Sequence, residues 1–278
     1  MSEDRNRVSL DMLKARLSSA EDDVVSALQK RVTASRHLRN ALSGDGHPVA
    51  MGITAALERL TEQALTRNHD ELLLRWTVEF QLDMFDLGVE QVFVSGTEPL
   101  RIFDFARQMF GHNIPMHFDT DARETLSSLI DRPESVGIMG WMAHAGAGQW
   151  WPVLNETRYH SLRIVGSWPV IGADAPYAAI LSRGPLEPTR SGRSLLIAHD
   201  DHHRLQRIVQ GLEFNVKELA RARSLVLFEL DTMIEENDPR LKEGRAAGLD
   251  GLRVVGAVRT DSLLRRMTIR REDKLPLP

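Results

Sequence analysis

Ser135-Val136-Gly137-Ile138-Met139-Gly140-Trp141-Met142 is the stretch on which the fold turns. It carries no charge and is punctuated by two glycines, as expected of a strand buried on both faces. The segments before it alternate in period. Residues 92–94 (Val-Phe-Val) read as a strand, 98–110 as a helix, 115–118 as a strand and 122–130 as a helix. Alternation at this length predicts an α/β layer. Residues 162–170 and 177–181 add two further strands.

Downstream, Gly184-Pro185-Leu186-Glu187-Pro188-Thr189-Arg190-Ser191-Gly192 has the composition of a linker. A βαββαβ pattern follows it: strand 194–198, helix 202–212, paired strands 214–221 and 225–231, helix 239–247 and closing strand 252–258. That order fits a split βαβ arrangement. The tail, residues 265–278, is charged and Pro-ended, and it is expected to be mobile.

Upstream, Leu10, Leu13, Leu17, Ala20, Val24, Leu28 and Val32 recur at three- and four-residue spacing, which predicts a helix over 8–42. Such a helix is roughly 50 Å long at 1.5 Å per residue. A stripe of that length cannot be covered within a small single-copy bundle, so it calls for a second copy of itself. Ser43-Gly44-Asp45-Gly46-His47-Pro48 then breaks the chain. A second helix is expected over 53–66 and a third over 70–91, with Asn68-His69-Asp70 as turn and cap.

The bulk numbers narrow the function classes. The chain has 278 residues, a net charge of -4 and no cysteine. Disulfides, thiolate nucleophiles and cysteine-ligated zinc are thereby excluded. The charge gives no electrostatic case for nucleic acid. No run approaches the roughly 18 apolar residues of a membrane span, and the charged start Met1-Ser2-Glu3-Asp4-Arg5 leads into no signal core. A cytoplasmic protein without membrane or nucleic-acid partners is the expectation.

In this order the three pieces resemble the chorismate mutase–prephenate dehydratase family. The resemblance implies a multi-domain α plus α/β chain. An all-helical mutase-like domain would span 1–91, a single dehydratase-like α/β lobe 92–186 and a βαββαβ ACT-like domain 193–262. The middle part matches only the second dehydratase lobe, through Glu98-Pro99 to Phe103, Thr120 to Leu129 and the strand quoted above. The ACT-like part matches through Ser194-Leu195-Leu196-Ile197, Phe228-Glu229-Leu230-Asp231 and Leu252 to Val258. The family works without metal or cofactor, so neither is expected. Its partners would be a small molecule (chorismate, prephenate or an aromatic amino acid) and a second copy, paired through the N-terminal helices.

A chorismate mutase must clamp two carboxylates and stabilise charge building on an ether oxygen. Arginine forks suit the first task and a preorganised donor in a dry pocket suits the second. Carried over residue by residue, the family's site falls on Lys14, reached across the dimer, on Arg31, and on Gln91 facing the ether oxygen from helix three. Its other polar positions fall on Leu42 and Leu87 and near Met51, Thr54 and Ala55, the last three within a stretch from Val49 to Leu57 that has no charge. Losing one such donor commonly costs about 3–4 kcal/mol. The residual mutase set is therefore Arg31, Gln91 and Lys14. The alternative is a dimeric binding or regulatory protein that senses an aromatic metabolite without catalysis.

The other parts have lost expected signatures as well. The dehydratase's Thr-Arg-Phe segment falls near Pro176-Tyr177-Ala178, where there is no threonine, and its first lobe has no counterpart. The ACT phenylalanine motifs fall near His203-Arg204-Leu205 and Arg221-Ala222-Arg223-Ser224 and match neither. His199-Asp200-Asp201-His202-His203 is either a metal cluster or, the reading favoured here, a helix-capping turn. Gly146-Ala147-Gly148-Gln149 is a weak phosphate-turn candidate. Trp141, Trp150, Trp151 and Trp168 fill one lobe's core or line an aromatic pocket.

Overall fold

The computed structural model describes residues 2–42, 89–142, 149–168, 176–184, 186 and 192–259. The expected second helix, nearly all of the third, the Gly146–Gly148 turn and the C-terminal tail lie outside the described residues.

Helix α1 spans Ser2–Leu42. Its apolar stripe faces out, with Leu10 52%, Leu13 54%, Leu17 62% and Val24 49% exposed.

The rest is built on one sheet of nine strands: β1 (Gln91–Ser95), β2 (Met116–Phe118), β3 (Ser135–Gly140), β4 (Leu162–Trp168), β5 (Ala178–Arg183), β6 (Gly192–His199), β7 (Val216–Ala222), β8 (Leu225–Leu230) and β9 (Asp250–Arg259). The order across it is β2-β1-β3-β5-β4-β9-β6-β8-β7. The first three strands are mutually parallel, with Val92 opposite both Met116 and Val136. The last four, in the order β9-β6-β8-β7, are antiparallel and form the split βαβ unit expected from the pattern. The two units meet where β4 runs parallel to β9, at Ile164 opposite Gly256.

Helix α2 (Pro99–Phe110) starts with proline at its first turn and buries Ile102, Ala106, Met109 and Phe110 at helical spacing. Helix α3 (Ala122–Asp131) is capped by Asp121, whose carboxylate accepts from the Arg123 N–H at 2.8 Å. The two helices pack on opposite faces of β1 and β3. α2 joins a core with Val92, Val94 and Val136, whereas Leu126 and Leu129 of α3 join a second core with Phe93 and Met139. That second core continues across the seam to Leu195, Ile197, Leu227 and Val255, so a single apolar layer ties the two units together. The third core lies under α4 (Leu205–Gly211) and α5 (Pro239–Ala246).

Gln91 corrects the sequence reading. It opens β1, paired with Ser135, and does not close a third helix. The β-branched alternation of Val92 and Val94, buried on the sheet, takes precedence over the helical period that precedes it.

Candidate functional site

The parallel strands β1, β2 and β3 end on the same side, and their loops leave for opposite faces: β1 leads to α2, β2 to α3. An open α/β sheet forms its ligand crevice at such a switch point, outside the carboxyl ends of the strands. A cavity of about 1010 Å³ lies there. Ser95 and Gly96 after β1, Thr120 and Asp121 after β2, and Gly140 and Trp141 after β3 line it.

Two cations, two carboxylates and an aromatic wall furnish the crevice. Arg101 and Arg123 stand on the first turns of α2 and α3, beside Glu98 and Asp121, and the wall is made by Phe105, Trp141, Trp150 and Tyr177. Trp150 is fixed by an indole N–H donated to the Gly140 carbonyl at 2.8 Å. Phe105 and Tyr177 are stacked, with centroids 5.7 Å apart and planes at 19°. The Arg101 guanidinium lies 4.0 Å from the Tyr177 ring centre and donates to Glu98 at 3.1 Å. Arg123 gives its two terminal nitrogens to Glu156 at 2.8 and 2.7 Å. That pair holds the Glu156 carboxyl below its ordinary range, chiefly through the Arg123 hydrogen bonds, and raises the guanidinium in turn.

Of the four tryptophans singled out in the sequence, two line the crevice. All four are buried core residues, Trp141, Trp150 and Trp151 in the second core and Trp168 in the first, so Trp141 and Trp150 meet the crevice only at their edges. Tyr177, within the segment where the resemblance places Thr-Arg-Phe, is in the crevice wall. Arg101, Arg123 and Asp121 were not singled out by sequence reasoning. Their one legible signal is position, on or beside the first turn of a helix that follows a strand.

Of the residues expected for a mutase, two stand on α1 and one on β1. Lys14 and Arg31 stand on the same helix seventeen positions apart, about 25 Å along its axis at 1.5 Å per residue. Lys14 is exposed and Arg31 half-buried. Gln91 is in the sheet, where its side-chain carbonyl accepts from Arg132.

A second cavity, of about 360 Å³, lies in the split βαβ unit. Both segments carried over from the ACT motifs reach it, through His203 and Arg221. The buried Asp200 is held there by the Arg204 N–H at 2.7 Å and by Arg221 at 3.2 Å, while Arg221 also binds Glu218 at 2.8 Å. Burial opposes the Asp200 charge, but the N–H groups of Arg204 and Leu205 and the Arg221 guanidinium outweigh it and hold the carboxyl below its usual range. Asp200 thereby fixes the turn ahead of α4 rather than serving as its cap residue, which is Arg204, and among the described residues no group of three or more metal-capable side chains converges. Neighbouring His199 instead bridges the two units, bonded through Nε2 to the Asn155 side-chain amide at 3.1 Å and through Nδ1 to Ser224 Oγ at 3.2 Å.

No helix among the described residues is long and apolar enough to cross a membrane. No family model matches the chain, and no curated protein matches it. Among solved structures it is similar to GqqA, described as a novel type of quorum quenching acylases, at 14% identity, covering 64% of this chain and 98% of that one with a TM-score of 0.44. It is similar to prephenate dehydratase from Streptococcus mutans at 11% identity, 61% and 97% coverage and a TM-score of 0.38. The prephenate dehydratase from Arthrobacter aurescens in complex with L-Phe gives 11% identity, 66% and 98% coverage and 0.40. These likenesses are distant in both sequence and shape, and the assignment of function rests on the crevice itself.

Proposed function

We propose that this chain is a binding protein that holds a small aromatic or cyclohexadienyl carboxylate in the crevice at the carboxyl ends of β1, β2 and β3, without rearranging or dehydrating it. The observation that carries the reading is the pairing of the Arg101 guanidinium with a wall of Phe105, Trp141, Trp150 and Tyr177 in one cavity. An aromatic face fits that wall and a carboxylate fits the arginine fork. The N–H groups at the start of α2 and α3 add a favourable field for the anion.

Two facts favour binding over turnover. The dehydratase's Thr-Arg-Phe segment, as the resemblance places it, falls near Pro176-Tyr177-Ala178, where there is no threonine, and its first lobe has no counterpart. Most expected mutase positions hold uncharged residues. The half-exposed stripe of α1 also supports a dimer, because pairing with a second copy would remove it from water.

The test is a titration of the tryptophan fluorescence with phenylpyruvate and with chorismate. Saturable quenching is expected, weakened roughly ten- to hundredfold in Arg101→Ala, the equivalent of one charge-assisted hydrogen bond of about 1.5–3 kcal/mol. Absence of saturable quenching with either compound overturns the reading. Chorismate disappearance that Arg31→Ala abolishes would replace it with a mutase. Mass in solution checks the dimer.

A further inference from the structure

We infer that the crevice selects a zwitterion: an aromatic α-amino acid, with its ammonium as well as its carboxylate, in preference to a monoanion or dianion of similar ring size. This rests on the aromatic-carboxylate reading and names the ligand class for the same site.

The argument is a census of partners. Among the described residues, the charged side chains lining the crevice are Glu98, Arg101, Asp121 and Arg123, formally neutral in sum. Arg123 is committed, its two terminal nitrogens placed on the two carboxylate oxygens of Glu156 in a fork-to-fork pair. Adding Glu156 leaves three carboxylates against two guanidiniums. Arg101 spends one nitrogen on Glu98 and lies flat against Tyr177. The remainder of its fork serves one carboxylate.

Cation-binding capacity, by contrast, is left over. Asp121 accepts the Arg123 N–H through Oδ1, and its Oδ2 accepts no hydrogen bond among the described residues. Glu98 accepts a single side-chain bond, from Arg101. Among the described residues, a dianion would therefore bring its second charge beside Glu98 and Asp121 with no cation left to receive it. A plain monoanion satisfies Arg101 but leaves the acidic side unanswered. An α-amino acid answers both, its ring against the tryptophans, its carboxylate on Arg101 and its ammonium towards Asp121 and Glu98.

The experiment uses the full chain and calorimetric titration with four probes that share one six-membered ring: L-phenylalanine, 3-phenylpropionate, 2-phenylethylamine and prephenate. L-Phenylalanine is expected to bind at least about tenfold more tightly than each of the others. Asp121→Asn keeps an acceptor at the α3 cap and removes the charge, and Glu98→Gln does the same beside α2. Either is expected to weaken phenylalanine about tenfold while leaving 3-phenylpropionate unchanged or tighter. Prephenate or 3-phenylpropionate binding as tightly as phenylalanine overturns the inference and leaves the aromatic-carboxylate reading standing. Phenylalanine affinity that neither variant alters also overturns it, because the amino acid would then occupy another place, such as the smaller cavity by Arg221. No binding of any probe sinks the inference and the reading together.

Discussion

Substituting Gly256 by alanine should separate the two halves of the sheet. Gly256 is the residue through which β9 meets β4. A Cβ there would lie 2.5 Å from Ile164 Cβ, 2.5 Å from its carbonyl oxygen and 2.9 Å from its Cα. Two of those atoms are main chain, so no rotamer change relieves the clash and the strands themselves must part. The strain falls beside two register shifts, one in β4 between Ile164 and Gly166 and one where β6 meets β9. Overpacking costs about 1–3 kcal/mol, and contact with rigid backbone puts this case at the upper end. For a folded unit of this size each kcal/mol lowers Tm by about 2–4 °C, so a loss of about 6–12 °C is expected. Gly211 supplies the control. A Cβ there meets nothing within 4 Å, and in helix α4 alanine is favoured by up to about 1 kcal/mol. The assay is thermal unfolding by circular dichroism on both variants. A Gly256→Ala melt within about 1 °C of the parent, with Gly211→Ala behaving alike, would refute the tight seam.

Three further outcomes are expected. Asn155→Ala removes the partner of His199 Nε2 at the junction of the two units, and should cost about 1–2 kcal/mol in urea unfolding, with His199→Ala costing more because it also removes the Nδ1 contact with Ser224 Oγ. Asp200 has a depressed folded pKa, so its contribution to stability is fully present above the unfolded value of about 3.9 and is lost as pH falls through the lower folded one. Asp200→Asn should therefore be destabilised at neutral pH and show a shallower loss of Tm on acidification below about pH 4 than the parent, as read by melts across a pH series. Arg253 is half-buried, has a terminal nitrogen with no hydrogen-bond partner, and is held down to about 10 by burial and by the neighbouring Arg163 charge. Its folded pKa lies below the unfolded value, so stability should rise with pH from about 10 upward, and Arg253→Met should raise stability by about 1 kcal/mol at neutral pH and abolish that rise. A lower Tm for Arg253→Met would show that the side chain's packing outweighs the burial of its charge.

The crevice and the smaller cavity differ in what they leave open. In the smaller cavity the carboxylate of Asp200 already takes the helix N–H group and the Arg221 fork. In the crevice Arg101 still has donors to give and Asp121 an oxygen to offer. This difference, more than volume, makes the crevice the candidate site.

Period and punctuation in the sequence were enough to determine the local elements. The uncharged run at β3, the Asp238-Pro239 start of α5 and the long stripe of α1 are short-range properties, set by side chains within a few residues of one another. Tertiary structure alone decided the rest. The pairing of Ile164 with Gly256 joins strands with most of a domain between them, and nothing local to either strand encodes its partner. The change of Gln91 from helix end to strand start depended on Ser135 being its neighbour. Arg101 and Tyr177 read along the chain as an ordinary surface cation and a strand-edge aromatic. They become a binding wall only when β1, β3 and β5 lie side by side, because a site's chemistry depends on distances that the fold sets and that sequence spacing does not contain.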